Sequence, residues 1–169
     1  MSDLNTFREE TRAWLLDTCP ESQRQPIVKD EQIWGGRKRE FPSADAQKWF
    51  EAMADRGWTA PTWPKEYGGG GLSPDEAKIL QQEMARLGCR PALYEIGIWM
   101  FGPALLAFGT EEQKLEHIPK IVRGEIRWAQ GYSEPSAGSD LASLKMKAED
   151  GGDHFLVNGT KIWTTNAHK

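Results

Sequence analysis

The residues most suited to chemistry lie between positions 131 and 166, which read GYSEPSAGSD, two alternating apolar runs, an Asn-Gly pair and KIWTTN. Ser136, Gly138 and Ser139 are small and sit between two carboxylates, Glu134 and Asp140. Small residues let backbone amides approach a ligand, and successive amides in a turn form a concavity that suits an anion. Further on, the indole of Trp163 stands two residues before the hydroxyl of Thr165. On a strand, positions two apart share a face. A flat indole and a hydroxyl on one face, near an anion nest, suit a planar ring system carrying phosphates, and a flavin dinucleotide is such a molecule. Taken alone, the serine-glycine segment also fits an ordinary strand-to-turn loop.

Other candidates are better explained by structure. Glu134 and Asp140 are expected to accept backbone hydrogen bonds that fix the loop and not to act as a catalytic pair. The four glycines at 68–71 match neither G-x-G-x-x-G nor a P-loop, and are read as a turn before a helix cap. His117, His154 and His168 have no partner at ligand spacing, so no metal is assigned. Lys145 and Lys147 read as a solvated strand face.

The elements that must position these residues fall into two blocks. Up to about residue 126 the signals are helical. Asp3 caps a segment carrying Leu4, Phe7, Trp14 and Leu15 at helical spacing. Residues 20–42 are polar and broken by prolines and Gly35-Gly36, hence irregular. Ser43 opens a second helix through Ala46, Phe50 and Met53, ended by Gly57. Ser73, Pro74 and Glu76 make a capping box with proline at the first helical position, before a stripe of Ala77, Leu80, Met84 and Leu87 that Gly88 stops. Residues 91–108 are mostly apolar and predict a buried helix interrupted at Gly102-Pro103. Thr110 and Gln113 form a second capping box before a helix expected to break at Pro119.

From residue 127 the period changes. Strands are expected at 127–132, 144–149 and 155–157, with a turn at 150–153, and Asn158-Gly159 signals a hairpin into a strand over 161–165. The fold class is therefore α+β: an all-helical domain over 1–126, followed at 127–169 by the first strands of a β domain.

Composition narrows the partners. The 169 residues carry a net charge of −4 with no basic block, which argues against nucleic acid or an anionic membrane surface. No apolar run is long enough to span a bilayer. Cys19 and Cys89 lie far apart in sequence, and the polar start MSDLNTFREE lacks a signal peptide, so they read as reduced thiols of a cytoplasmic protein. Most of the eight tryptophans are expected in core or interface positions.

At this point the sequence resembles the acyl-CoA dehydrogenases, flavoenzymes of fatty acid and steroid side-chain breakdown. The run GYSEPSAGSDLAS fits that family's first signature at every defined place but Tyr132, where a small aliphatic residue is usual. The resemblance extends through PKEYGGGGLS, FGPALLAFGTEEQKLEHIPKIVRGE and NGTKIWTTN, in the family's order. It implies that the middle domain is β-barrel-like and binds FAD. Residues 130–139, from Gln130 through Tyr132 to Ser139, would wrap the flavin. Ser133 and nearby amides would bind the pyrimidine edge, and Gly138 and Ser139 the pyrophosphate. Ser139 would also lie beside the pantetheine of the acyl-CoA substrate. Trp163 would cover a ring face with Thr164 beside it, and Thr165 would hydrogen-bond near N5. Tyr132 would bear on the size of the substrate cavity.

The reaction so implied introduces a Cα=Cβ double bond into an acyl-CoA thioester and passes electrons to an electron-transferring flavoprotein. The subunits would form homo- or hetero-oligomers. The family's glutamate base belongs to a later helical domain, nothing here matches it, and no catalytic residue is named. A flavin oxidase or monooxygenase on the same scaffold, or a truncated binding or assembly subunit, remains an alternative.

Overall fold

A computed structural model describes residues 3–165 and residue 167. The chain divides into two compact units, Met1–Arg127 and Trp128–Lys169.

The first unit is helical, and its boundaries follow the capping signals. Helix α1 (Leu4–Thr18) starts where the Asp3 carboxylate accepts the Asn5 amide. Helix α2 (Ala44–Asp55) starts where the Ser43 hydroxyl accepts the Ala46 amide. Helix α3 (Pro74–Leu87) has the complete Ser73–Glu76 box, with Pro74 in the first turn and Gly88 in the left-handed region beyond its end. Helix α5 (Glu111–Val122) opens with the Thr110–Gln113 box. Each cap satisfies amides that the first helical turn leaves without partners.

Two proline expectations are corrected. Gly102-Pro103 does not interrupt its helix: a π-helical turn over Gly97–Phe101 runs directly into α4 (Gly102–Phe108), and the Gly102 amide bonds to the Gly97 carbonyl. The wider turn makes room for a ring that would otherwise press on the carbonyl four residues back, and the missing proline N–H falls where α4 begins. Pro119 likewise lies inside α5, which continues to Val122. The apolar segment is also not buried all round. Trp99 and Met100 are partly exposed and Phe108 is 90% exposed.

The core lies between α1, α2 and α3: Leu15, Cys19, Trp49, Met53, Trp58, Leu80, Cys89 and Ala92. A second cluster joins Ile33, Ala46, Phe50 and Ala54. At about 25 cal/mol per Å² of apolar surface, the buried Leu, Ile, Met and Phe side chains among them each contribute roughly 1.5–3 kcal/mol. α3 also buries Ile79 and Glu83, which the expected stripe omits, while Ala77, Met84 and Leu87 are half-buried. Glu83 accepts from Arg8 and Arg12 of α1 at 2.8 Å each. The Arg12 guanidinium, with Arg8, pulls its carboxyl down to about 2 against the cost of burial.

The glycine run packs backbone to backbone. A side chain at Gly69 would stand 2.4 Å from the Trp63 carbonyl oxygen, and one at Gly57, itself at φ +66°, would stand 2.4 Å from Gly69. The amides of Gly70, Gly71 and Leu72 bond to the carbonyls of Ala60, Trp63 and Pro61. This is a close-approach turn that delivers the chain to the Ser73 cap.

The second unit holds a two-stranded antiparallel hairpin, β1 (Lys147–Asp150) with β2 (Phe155–Asn158), in the register Ala148 to Val157 and Glu149 to Leu156. The expected turn at 150–153 connects them, with the Gly151 amide bonded to the His154 carbonyl. The expected strands at 127–132 and 161–165 do not form. Among the described residues β1 and β2 pair only with each other, and no third strand joins either outer edge. Asn158-Gly159 consequently turns no second hairpin.

Candidate functional site

Glu134 organises the second unit. Its amide and carbonyl both pair with Ala137, closing residues 134–137 into a tight turn. Its carboxylate is 5% exposed. It accepts the Lys145 amide at 2.7 Å, the Met146 amide at 3.0 Å and the Lys161 ammonium at 3.0 Å. These partners, the Lys145 amide foremost, hold the carboxyl below its ordinary range. Lys161 also donates to the Tyr132 carbonyl, and the Ile162 amide donates to the Ser133 carbonyl at 2.9 Å. Three stretches far apart in sequence thus meet at one side chain: residues 132–137, 145–146 and 161–162.

Glu134 has the backbone-fixing role expected of it. Asp140 does not use its carboxylate that way: its carbonyl accepts the Ser143 hydroxyl at 2.8 Å. The Ser143 hydroxyl also approaches the Ser136 carbonyl at 3.2 Å. The sequence missed Lys161, whose basic side chain reads as an ordinary solvated residue. Only the fold brings it to a carboxylate 27 positions away.

Of the expected site residues, Tyr132 and Ser133 are tied to this hub through their carbonyls. Ser133 and Gln130 are half-buried, Ser139 and Gly138 are exposed, and a side chain at Gly138 would meet open space. Tyr132 is 62% exposed. Trp163 follows Ile162 directly, so the pairing of Ile162 with Ser133 brings the tryptophan segment beside the loop. The same-face argument for Trp163 and Thr165 is overturned. Trp163 has φ +56°, in the left-handed region, and residues 161–165 lack strand alternation. A non-glycine residue there costs roughly 1–2 kcal/mol. Its indole is 87% exposed, Thr164 is half-buried and Thr165 is exposed. Asn166 of the motif lies outside the described residues.

This donor set suits a phosphorylated planar ligand: hydroxyls at 133, 139, 164 and 165, a side-chain-free position at 138, and an open indole face. Among the described residues no three of His, Cys, Asp or Glu come together as a metal would need. His154 pairs with its neighbour Asp153, and His168 lies outside the described residues. Among the described residues no helix is long and apolar enough to cross a membrane.

Comparison with known proteins places these features. Residues 3–125 match the family model of the acyl-CoA dehydrogenase N-terminal domain, and residues 129–169 that of the acyl-CoA dehydrogenase middle domain. Acyl-CoA dehydrogenase IpdE1 of Mycobacterium tuberculosis is 38% identical over 169 residues, covering 99% of this chain and 43% of the relative. Among solved structures, the Tcur3481-Tcur3483 steroid ACAD is 37% identical with a TM-score of 0.60, over 95% of this chain and 39% of that one. The ChsE4-ChsE5 complex of Mycobacterium tuberculosis gives 31% identity and a TM-score of 0.62, over 99% and 40%. The chain therefore spans about two fifths of the length of these relatives. With both consecutive domain models matched in order across nearly all of its residues, the chain belongs to the acyl-CoA dehydrogenase family.

Proposed function

We propose that this chain supplies the helical domain and the flavin-gripping edge of an acyl-CoA dehydrogenase that introduces a Cα=Cβ double bond into an acyl thioester. The observation carrying this reading is the Glu134 hub, which ties the SEPSAGS loop to the WTT segment. FAD, when bound, supplies the hydride-accepting chemistry. The chain's own residues bind and orient. Ser133 and adjacent amides take the pyrimidine edge, with Gln130 and Tyr132 flanking them. Gly138 and Ser139 take the pyrophosphate, where no side chain stands in the way, and Ser139 also neighbours the pantetheine. Trp163 offers its exposed face to the ring, and Thr164 and Thr165 offer hydroxyls beside it. None of these residues is assigned a proton-transfer role.

Likeness to a steroid ACAD favours a bulky, ring-containing acyl group as substrate. The two-component names Tcur3481-Tcur3483 and ChsE4-ChsE5 favour assembly with a second, similar subunit. Electron transfer to an electron-transferring flavoprotein completes the proposal.

The test uses the complete protein. It is expected to carry FAD and to lose its visible flavin absorbance when mixed anaerobically with a ring-bearing acyl-CoA. The electron-transferring flavoprotein should restore the colour without oxygen being consumed. Stoichiometric oxygen uptake would make it an oxidase or monooxygenase, and absence of flavin would leave a binding or assembly subunit.

A further inference from the structure

The Asn-Gly pair at 158–159 turns no hairpin and takes no part in the candidate site. Of the chain's asparagines, Asn5 lies within α1 before Thr6, and Asn166 precedes Ala167 outside the described residues. Asn158 alone precedes a glycine. It ends β2 opposite Lys147, and both it and Gly159 are exposed. Among the described residues no backbone carbonyl accepts the Gly159 amide. Glycine is required there, because a side chain would stand 2.9 Å from the Met146 Cβ. The position that demands glycine thereby leaves the nitrogen after Asn158 unshielded, with no Cβ beside it.

The turn of the hairpin offers an internal comparison. Asp150-Gly151 also sets a side-chain carbonyl before a glycine nitrogen. There the Gly151 amide donates to the His154 carbonyl at 2.8 Å, and the Asp150 carboxylate accepts the Gly152 amide at 2.8 Å. Nucleophile and electrophile are each held in another bond. At Gly159 the first of these restraints is missing among the described residues.

We propose that Asn158 is a site of spontaneous deamidation, and that its isoaspartyl product loosens the tie between residues 161–162 and the Glu134 hub. The Gly159 nitrogen attacks the Asn158 side-chain carbonyl carbon. The new N–C bond closes a succinimide ring while the C–NH2 bond breaks, and ammonia leaves with the amide proton. Water then opens the ring. Cleavage of the new bond gives aspartate on an unchanged main chain. Cleavage of the original peptide bond gives isoaspartate, with the chain rerouted through the former side chain and longer by a methylene. Aspartate sets a carboxylate opposite Lys147, a favourable cross-strand pair. Isoaspartate instead shifts the chain just before Lys161, whose ammonium holds Glu134 and the Tyr132 carbonyl. The Ile162 amide, bonded to the Ser133 carbonyl at 2.9 Å, is carried with it.

The experiment incubates the complete protein in mildly alkaline buffer beside synthetic peptides spanning 145–152 and 155–162. Peptide mapping and enzymatic methylation of isoaspartate follow both sites. Asn158 in the folded protein should convert within a few-fold of its peptide's rate, to aspartate and isoaspartate, whereas Asp150 should lag far behind its own peptide. Asn158→Gln, whose longer side chain closes the ring poorly, should block conversion. In the isoaspartyl form, separated by ion exchange, hydrogen exchange should show lost protection at Ile162 with the helical unit unchanged. Asn158→Asp carries the charge on a normal main chain and should keep that protection. Because conversion is read in the unsubstituted protein, a variant that folds poorly does not decide the matter. Asn158 intact in folded protein while its peptide converts, or Asp150 keeping pace with its own peptide, overturns the site. Unchanged Ile162 protection in the isoaspartyl form, or equal loss in Asn158→Asp, overturns the proposed loosening.

Discussion

In the helical unit, α3 carries its own start in Ser73, Pro74 and Glu76 and its own stop in Gly88, all within the residues it needs. In the second unit neither strand buries a residue. Phe155, Leu156 and Val157 are all more than half exposed. What holds that unit is one carboxylate with three partners brought from two other stretches. The first unit spreads its stability over many separable devices, each of about 1 kcal/mol, above a packed core. The second leans on one non-local junction around Glu134, where losing the carboxylate leaves three part-buried donors without their acceptor.

The sharpest way to break this contrast is Glu134→Ala. The Lys145 and Met146 amides and the Lys161 ammonium lose their acceptor together. In the complete protein the expected outcome is at least about a tenfold loss of FAD retention, since about 1.4 kcal/mol already gives that factor. Hydrogen exchange should show lost protection at Lys145, Met146 and Ile162, with the helical unit unchanged. If protection and flavin content survive, Glu134 is not the junction of this unit. Glu134→Gln should fall between, because the Lys145 and Met146 amides use different carboxylate oxygens and the single amide oxygen of Gln keeps only one of them.

Next in size is Glu83→Gln in the helical unit. It leaves Arg8 and Arg12 facing a neutral amide across the α1–α3 contact. Breaking a fully buried pair costs about 3–5 kcal/mol. Both arginine side chains are 34% exposed and retain water, so about 2–3 kcal/mol is expected here. Urea unfolding followed by tryptophan fluorescence should show a lower midpoint at unchanged slope. The pH dependence has a definite sign. The carboxyl is lowered from 4.5 to about 2 on folding, so its contribution is complete above pH 4.5 and fades as pH falls toward 2. The gap between the wild type and Glu83→Gln should therefore close over that window. A gap that widens there contradicts the ion-pair account.

The two units also differed in how far their sequences could be read, for the same physical reason. Caps and helical stripes involve residues three or four apart, so α2, α3 and α5 start where their hydroxyl residues stand. The π-helical turn before Pro103 was not legible, because it answers a steric demand that can also be met by breaking the helix. In the second unit the β1–β2 turn was legible from Gly151-Gly152. Trp163 was not: its alternation with Thr165 presupposed a neighbouring strand, and the segment instead anchors at Lys161 and Ile162 to a loop 27 to 29 positions earlier. The loop-fixing role of Glu134 was readable from its place among small residues, while its partners waited on that contact.

A third prediction concerns Tyr132, whose phenol is 62% exposed while its carbonyl is held by Lys161. The main-chain anchor survives side-chain truncation, so Tyr132→Val should leave FAD retention unchanged. If the phenol shapes acyl space, the ratio of kcat/KM for a ring-bearing and a short straight-chain acyl-CoA should shift by about 1–3 kcal/mol. An unchanged ratio with lost flavin would assign the phenol to cofactor support.

The smallest effects test whether the helical unit is as divisible as its caps imply. Ser73→Ala removes the hydroxyl that accepts the Glu76 amide, and Thr110→Ala removes the one that accepts the Gln113 amide. Each should cost about 1 kcal/mol of stability, because one first-turn amide loses its side-chain acceptor and turns to water. The Glu76 and Gln113 side chains can still reach back to the cap amides, so neither box is wholly lost. The two boxes begin different helices, and independent sites add to within about 0.5 kcal/mol. The double variant should therefore lose about 2 kcal/mol in urea unfolding, with FAD content unaffected. A double loss well above that sum would show that α3 and α5 rely on each other's ends, and the helical unit would then share the single-junction character of its neighbour.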